Sequence, residues 1–204
     1  MLRKKIYGII LSAGLSGRIR KFKPLANYKG KTFIHNIITK LNPVCTQIIV
    51  VTGFNSEKLK TEVNKTLSES KETEIIDKLK FTYNEQYEKG MFTSLQAGLT
   101  AAKDSDWVLY HFVDQPGLPE NFYKEFVYKI DDRHNWNQPT YKKQKGHPIL
   151  IKKELFGLIL NAPYNAILRK ISNNQMVKKK FWECGYEEIF QDIDTEEDYQ
   201  KLDY

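Results

Sequence analysis

Short apolar runs alternate along the chain with longer stretches in which apolar residues recur every three or four positions. Residues 6–11, 47–52, 79–84 and 107–113 are runs of the first kind and predict β-strands, since continuous apolar segments of this length suit strands covered on both faces. Residues 32–41, 56–67 and 91–102 carry the helical spacing and predict helices between them. Strands alternating with helices imply right-handed crossovers and a largely parallel sheet with helices on both sides. The second half is less regular. It predicts helices over 121–130, 153–160 and 165–171, a short strand over 148–151, a further strand over 187–193 and a last helix over 195–202. The polar stretch 68–77 reads as an exposed loop. The pattern as a whole predicts one α/β domain spanning 1–204, with a mixed C-terminal part.

Composition narrows the class. A chain of 204 residues with 41% hydrophobic and 28% charged residues buries an ordinary globular core. No apolar run approaches the length of a membrane span, and Met1-Leu2-Arg3-Lys4-Lys5 leads straight into a strand pattern rather than a signal peptide. Cys45 and Cys184 are two and far apart, which fits a reduced, cytoplasmic address without a disulfide framework or zinc site. The net charge of +7 permits an acidic partner without choosing one. Lys142-Lys143-Gln144-Lys145 and Lys178-Lys179-Lys180 are the densest basic clusters and read as solvated faces. No nucleic-acid-binding signature accompanies them, so nucleic acid is not expected as a partner. A polyphosphate substrate would also gain from positive steering.

The candidate chemistry starts where the first strand ends. The run to Leu11 stops in the loop Ser12-Ala13-Gly14-Leu15-Ser16-Gly17, and Arg18 and Lys23 follow. A buried strand feeding a glycine-bearing loop lets backbone N–H groups approach phosphates, and two cations supply charge where phosphate oxygens would lie. A P-loop is excluded, because no Gly-Lys-Ser/Thr occurs; the dinucleotide fingerprint is excluded too, because Gly14 and Gly17 are spaced Gly-x-x-Gly with no third glycine in place. Taken alone the segment fits an ordinary turn as well as a phosphate loop.

Ligands of open α/β sheets bind beyond the carboxyl ends of the strands, and two more unusual sequences fall there. Asp114-Gln115-Pro116 follows the expected central strand, and Asp192-Ile193-Asp194-Thr195 follows the last one. Mg²⁺ prefers one or two protein carboxylates completed by substrate phosphate oxygens and water. Asp114 and Asp194 would supply such a pair if their strands are neighbours. Thr195-Glu196-Glu197-Asp198 also reads as a helix N-cap with acids in the first turn, which accounts for Thr195, Glu196 and Asp198 but not for Asp192 and Asp194.

These landmarks, in this order, resemble the molybdenum-cofactor cytidylyltransferases, within the nucleotidyltransferase group that includes the cofactor guanylyltransferases. The resemblance runs over nearly all 204 residues. Its first motif is carried by Leu11, Ala13, Gly14, Ser16, Arg18, Lys23 and Leu25, its second-strand end by Val51-Thr52-Gly53, and its second nucleotide segment by residues 84–95. Asp114-Gln115-Pro116 matches its metal motif, Gly146-His147-Pro148 its acceptor-side motif, and Asp192-Ile193-Asp194-Thr195 with Asp198-Tyr199 its C-terminal signature.

The resemblance implies a Rossmann-like three-layer α/β/α nucleotidyltransferase fold and transfer of a nucleotidyl group, CMP from CTP, to the terminal phosphate of a molybdopterin-type acceptor. Arg18 and Lys23 would be catalytic, neutralising phosphates. Leu11, Ser12, Ala13, Gly14, Thr52, Asn84, Gly90 and Ser94 would bind the nucleotide, Gly146 and His147 would face the acceptor, and Asp114 and Asp194 would hold Mg²⁺ or Mn²⁺. A molybdoenzyme or its chaperone would be a protein partner. Two departures stand out. Ile19-Arg20 replaces the family's Met-Gly, and Ser12-Ala13-Gly14 replaces the Ala-Gly-Gly of the guanylyltransferases, where the Ala13 methyl narrows the base pocket against a purine. Other acceptors (sugar, polyol or other cofactor phosphates), GTP as donor and a silent nucleotide-binding chaperone are the alternatives. Retention of Arg18, Lys23, Asp114 and Asp194 argues against silence.

Overall fold

The computed structural model describes residues 4–15 and 21–202. Its first strand, β1 (Ile6–Ser12), is apolar on both faces, and alternate residues feed two different cores. Ile6 and Ile10 face one core, Ile9 and Leu11 the other, as the twofold period of a strand requires. A 3₁₀ turn (Lys23–Leu25) and a small hairpin, β2 (Asn27–Tyr28) with β3 (Lys31–Thr32), lead into α1 (Phe33–Leu41). Thr32 caps that helix by accepting from the His35 N–H at 3.3 Å. There follow β4 (Gln47–Thr52), α2 (Ser56–Glu69), α3 (Thr73–Ile76) and β5 (Leu79–Tyr83). A 3₁₀ turn (Tyr87–Lys89), α4 (Met91–Ala101), β6 (Trp107–Phe112) and α5 (Glu120–Tyr128) complete the regular part. The remainder comprises β7 (Trp136–Tyr141), β8 (Gln144–Lys145), β9 (Ile149–Lys152), a 3₁₀ turn (Lys153–Leu155), α6 (Phe156–Leu160), α7 (Leu168–Ile171), β10 (Lys179–Glu183), a 3₁₀ turn (Glu187–Phe190) and α8 (Glu196–Gln200).

One sheet runs in the order β10–β7–β9–β6–β1–β4–β5, with β8 paired to β7. β5, β4, β1 and β6 are mutually parallel, β9 runs antiparallel between β6 and β7, and β10 is parallel to β7. The α/β expectation holds, with the mixed portion confined to the C-terminal strands. Helices α1, α2 and α5 pack on one face, and α4 and α6 on the other. From β1 the chain moves outward to β4 and β5, then returns to β6 on the opposite side of β1. Loops leaving β1 and β6 therefore diverge, and a crevice opens between them. Among the described residues no helix is long and apolar enough to cross a membrane.

Three expectations are corrected. No strand forms over 187–193. The segment makes the 3₁₀ turn and then lies against the loop after β6, with one backbone bond from Ile193 N–H to Asp114 O at 2.9 Å. The C-terminal edge strand is instead β10, whose Lys-Lys-Phe-Trp-Glu sequence reads as a basic surface run. It pairs in parallel with β7 along its length, and its Trp182 ring stacks on Phe126 of α5 with centroids 5.6 Å apart, which anchors the strand to the helix layer. β7 has no clear apolar pattern because Asn137 and Pro139 interrupt it. Asn137 is fully buried and donates from Nδ2 to Lys129 O at 3.2 Å, while its Oδ1 has no partner among the described residues, so an amide stands where an apolar side chain would be looked for. The expected loop 68–77 contains the short helix α3.

Candidate active site

The crevice between β1 and β6 is a cavity of about 340 Å³. The pairing Leu11↔Phe112 sets the two strand ends level, and Val113 N–H donates to Leu11 O at 3.3 Å, so Ala13 and Asp114 emerge side by side. Leu11, Ser12, Ala13 and Gly14 form one wall. Around the position a Gly14 Cβ would occupy there is nothing within 4 Å. The backbone there is not left-handed, so what this glycine contributes is open space above the loop. Across the cavity stands the N-terminus of α4, with Gly90, Met91 and Ser94 on the wall and no acidic residue in its first turn. Unpaired N–H groups at such an end favour an anion. Gly90 has φ +112° and ψ 173°, a conformation open essentially to glycine alone.

Lys23 carries the charge. Its Nζ lies 2.5 Å from Asp194 Oδ1 and 3.8 Å from Asp114 Oδ2. Asp194 therefore reaches Asp114 without a neighbouring strand: the Ile193–Asp114 backbone bond brings it in. Gln115, almost fully buried, reinforces this by donating from Nε2 to Asp192 Oδ1 at 2.7 Å. Burial pushes the Asp114 carboxyl up to about 6; Asp192 and Asp194 add to the rise while Lys23 opposes it. Asp192 is raised too, again mainly by burial. Among the described residues, Asp114 and Asp194 thus flank this ammonium and Asp192 lies within reach of its charge.

Not every expected residue reaches the cavity. Thr52 is fully buried and its hydroxyl is bonded to Ser56 Oγ at 2.8 Å. Asn84 is buried behind α4, donating to Thr93 Oγ1 and Ser94 Oγ at 2.9 Å each and accepting from Gln86 N–H at 3.0 Å. Both support the cavity wall from behind rather than forming it. Gly146 is likewise a packing position: a Cβ there would stand 2.5 Å from Ile189 Cγ1. His147 lines a second, adjoining groove, its ring 4.6 Å from that of Phe112, and burial holds its imidazole down at about 4, hence neutral. Arg18, with Ser16, Gly17, Ile19 and Arg20, lies outside the described residues. Leu15, Pro24, Tyr87, Glu88 and Phe112 also line the cavity; Tyr87 and Glu88 lie inside the segment 84–95, but no spacing marks them individually.

The donors fit a hard divalent cation completed by its substrate. Asp114 Oδ1 is buried with no hydrogen-bond partner among the described residues, and carboxylate oxygens are the ligands Mg²⁺ or Mn²⁺ takes. Among the described residues no group of three or more His, Cys, Asp or Glu side chains is arranged to hold a metal alone, so phosphate oxygens would have to contribute.

Known proteins carry the same arrangement of elements. The chain is 26% identical over 194 residues to the molybdenum cofactor cytidylyltransferase of Escherichia coli, covering 94% of this chain and 92% of that one. It is 22% identical over 206 residues to a probable molybdenum cofactor guanylyltransferase of Bacillus cytotoxicus, with coverage of 98% and 96%. A nucleotidyl transferase structure from Methanothermobacter thermautotroptrophicus superposes with a TM-score of 0.77 at 19% identity, over 97% and 95% of the two chains. A Mycobacterium tuberculosis protein solved in complex with manganese superposes at 0.69 and 17% identity, over 97% of each. The family model described as the MobA-like NTP transferase domain matches residues 8–179. That match spans most of the sheet and both walls of the cavity, and the chain belongs to the MobA-like NTP transferase family.

Proposed function

We propose that this chain, acting as one unit over 1–204, transfers CMP from CTP to the terminal phosphate of a molybdopterin-type acceptor with release of pyrophosphate. The observation that carries this reading is Lys23 held between Asp114 and Asp194 at the mouth of a cavity walled by a glycine loop and a helix N-terminus. An acceptor phosphate oxygen attacks the α-phosphorus of CTP. The bond from that phosphorus to the oxygen bridging to the β-phosphate breaks, and pyrophosphate leaves with the electron pair. Such a displacement asks the protein for positioning and charge rather than covalent help.

Backbone groups of residues 11–14 and the α4 N-terminus would hold the phosphates, and Gly90 and Ser94 would border the sugar and base. Lys23, with Arg18, would neutralise charge on the pyrophosphate. Asp114 and Asp194 would hold Mg²⁺, which when bound polarises phosphate oxygens. CTP is favoured over GTP by the Ala13 methyl on the cavity wall.

The test is pyrophosphate release with CTP, Mg²⁺ and molybdopterin, beside a thermal-shift series with the four nucleoside triphosphates. CTP should raise the melting temperature most, since a ligand stabilises the state it binds. Asp114→Asn should cut turnover by roughly 100-fold or more. CTP binding without pyrophosphate release from any acceptor would sink the transferase reading; stronger stabilisation by GTP would sink the choice of base.

A further inference from the structure

The second groove, about 950 Å³, adjoins the cavity and shares Met91 and Phe112 with it. Its floor is apolar and nearly dry, with Trp136 and Tyr110 both at most 3% exposed. Its rim carries Lys143, Lys145, Arg169 and Lys179, and among the described residues lining it there is no Asp or Glu. The basic clusters read from sequence as solvated faces are sorted by the fold. Lys180 turns away and pairs with Asp131 at 2.8 Å, while Lys179 and Lys145 turn into the groove and meet only neutral partners. Lys179 Nζ donates to Asn173 Oδ1 at 2.9 Å, and Lys145 Nζ sits 4.6 Å from the Phe181 ring centroid. Burial and the neighbouring Lys145 both hold the Lys179 ammonium below its usual range. Lys142 and Lys143 occupy left-handed positions, φ +50° and +66°, in the tight turn from β7 to β8, where Asn-Gly would be the less strained choice.

Glu183 stands near Lys143, but among the described residues no ion pair joins Lys145, Arg169 or Lys179 to an acid, and a basic wall of this kind above an apolar floor is complementary to an anion attached to an apolar body. The reacting phosphate does not account for it. Lys23 lines the nucleotide cavity and not the groove, whereas the four rim cations line the groove and not the cavity. We propose that this groove seats the body of the acceptor, and that Lys143, Lys145, Arg169 and Lys179 read a second anionic group on it, remote from the phosphate that reacts. The proposal rests on the transferase reading of the adjoining cavity. It makes the substrate class a phosphorylated compound with an apolar or aromatic body and a charged far end, and it disfavours sugar and polyol phosphates, whose far ends are neutral.

The test uses the full chain and an aromatic anion, 8-anilinonaphthalene-1-sulfonate, read by fluorescence. The wild type should bind it, molybdopterin should displace it, and CTP should not. Lys145→Gln/Lys179→Gln should weaken binding about tenfold, the loss expected for two partly screened charge contacts. Lys58→Gln/Lys65→Gln, which removes the same charge from α2, should leave binding unchanged. Thermal shift by CTP should be preserved in every variant, which certifies folding; Arg169→Gln is the second probe should the double variant not fold. In turnover, the Lys145/Lys179 variant should raise KM for the acceptor about tenfold with kcat unchanged. Failure of the dye to bind, equal binding by wild type and both groove variants, or an equal loss in the α2 control would overturn the proposal. Absence of turnover in the wild type, with the dye behaving as expected, would overturn the transferase reading instead.

Discussion

Two glycines separate what the cavity needs for folding from what it needs for ligand. A Cβ on Gly53 would stand 2.6 Å from Tyr87 Cβ and 2.8 Å from the Ala13 carbonyl oxygen. Either the Tyr87 turn or the loop after β1 would have to move, and both line the cavity. Gly53→Ala should therefore cost about 1–3 kcal/mol in urea denaturation and also weaken CTP in calorimetric titration. A Cβ on Gly14 meets nothing. Gly14→Ala should keep wild-type stability and lose CTP affinity, because the methyl fills space meant for phosphate. Equal stability losses in the two variants would refute this division. Gly14 and Gly53 were both visible in the motif pattern. Why each is glycine was not, because one answer is an empty volume and the other a contact between residues 40 positions apart.

At the scale of elements, the C-terminal segment builds the site without being a strand. Thr195 caps α8 by accepting from Asp198 N–H at 3.1 Å, while Asp198 Oδ2 accepts from the N–H groups of Thr195 at 2.9 Å and Asp194 at 3.2 Å. The cap read from Thr195-Glu196-Glu197-Asp198 is therefore also the clamp on Asp194. Thr195→Ala should lower stability by about 1 kcal/mol and raise the Mg²⁺ concentration needed for half-maximal pyrophosphate release. Thr195→Ser should restore both. If the alanine variant lost stability while its Mg²⁺ dependence stayed put, the cap would be structural only. The expected strand over 187–193 failed for a local reason. Ile189 and Ile193 are buried, and a strand pattern and an irregular segment pressed onto a core place apolar residues alike.

Across the whole molecule, two buried imidazoles make stability depend on pH. His111 is fully buried on β6; its Nδ1–H donates to Phe112 O at 2.7 Å and its Nε2 accepts from the Tyr123 hydroxyl at 2.8 Å. Burial, with His147 and Lys40 as like charges nearby, holds it down at about 3, and burial holds His147 at about 4. An unfolded histidine takes its proton near pH ~6.5, so below that pH the unfolded state binds protons the folded state refuses. The imidazole contribution is complete above about pH 6.5 and is lost as the pH drops toward 4. The raised Asp114 carboxyl, which takes a proton in the folded state at about 6, offsets only one of the two protons involved. Urea midpoints measured from pH 7 downward should show this, and His147→Gln should flatten the slope. A wild-type profile level through that interval would contradict the buried, neutral assignment.

The residues themselves determined the four parallel strands β1, β4, β5 and β6, the glycine loop, the Asp114 turn and the Thr195 cap. Each is local: an apolar period, a steric preference or a side chain reaching its own backbone neighbours. Tertiary structure alone decided which distant groups meet. It brought Asp194 to Lys23 through a backbone bond to Asp114, withdrew Thr52 and Asn84 behind the wall, and turned Lys145 and Lys179 into one groove while Lys180 found Asp131. These placements depend on sheet order and on packing between segments far apart along the chain; the alternation of a strand puts Lys179 and Lys180 on opposite faces, but only the fold makes that segment a strand and decides what each face meets.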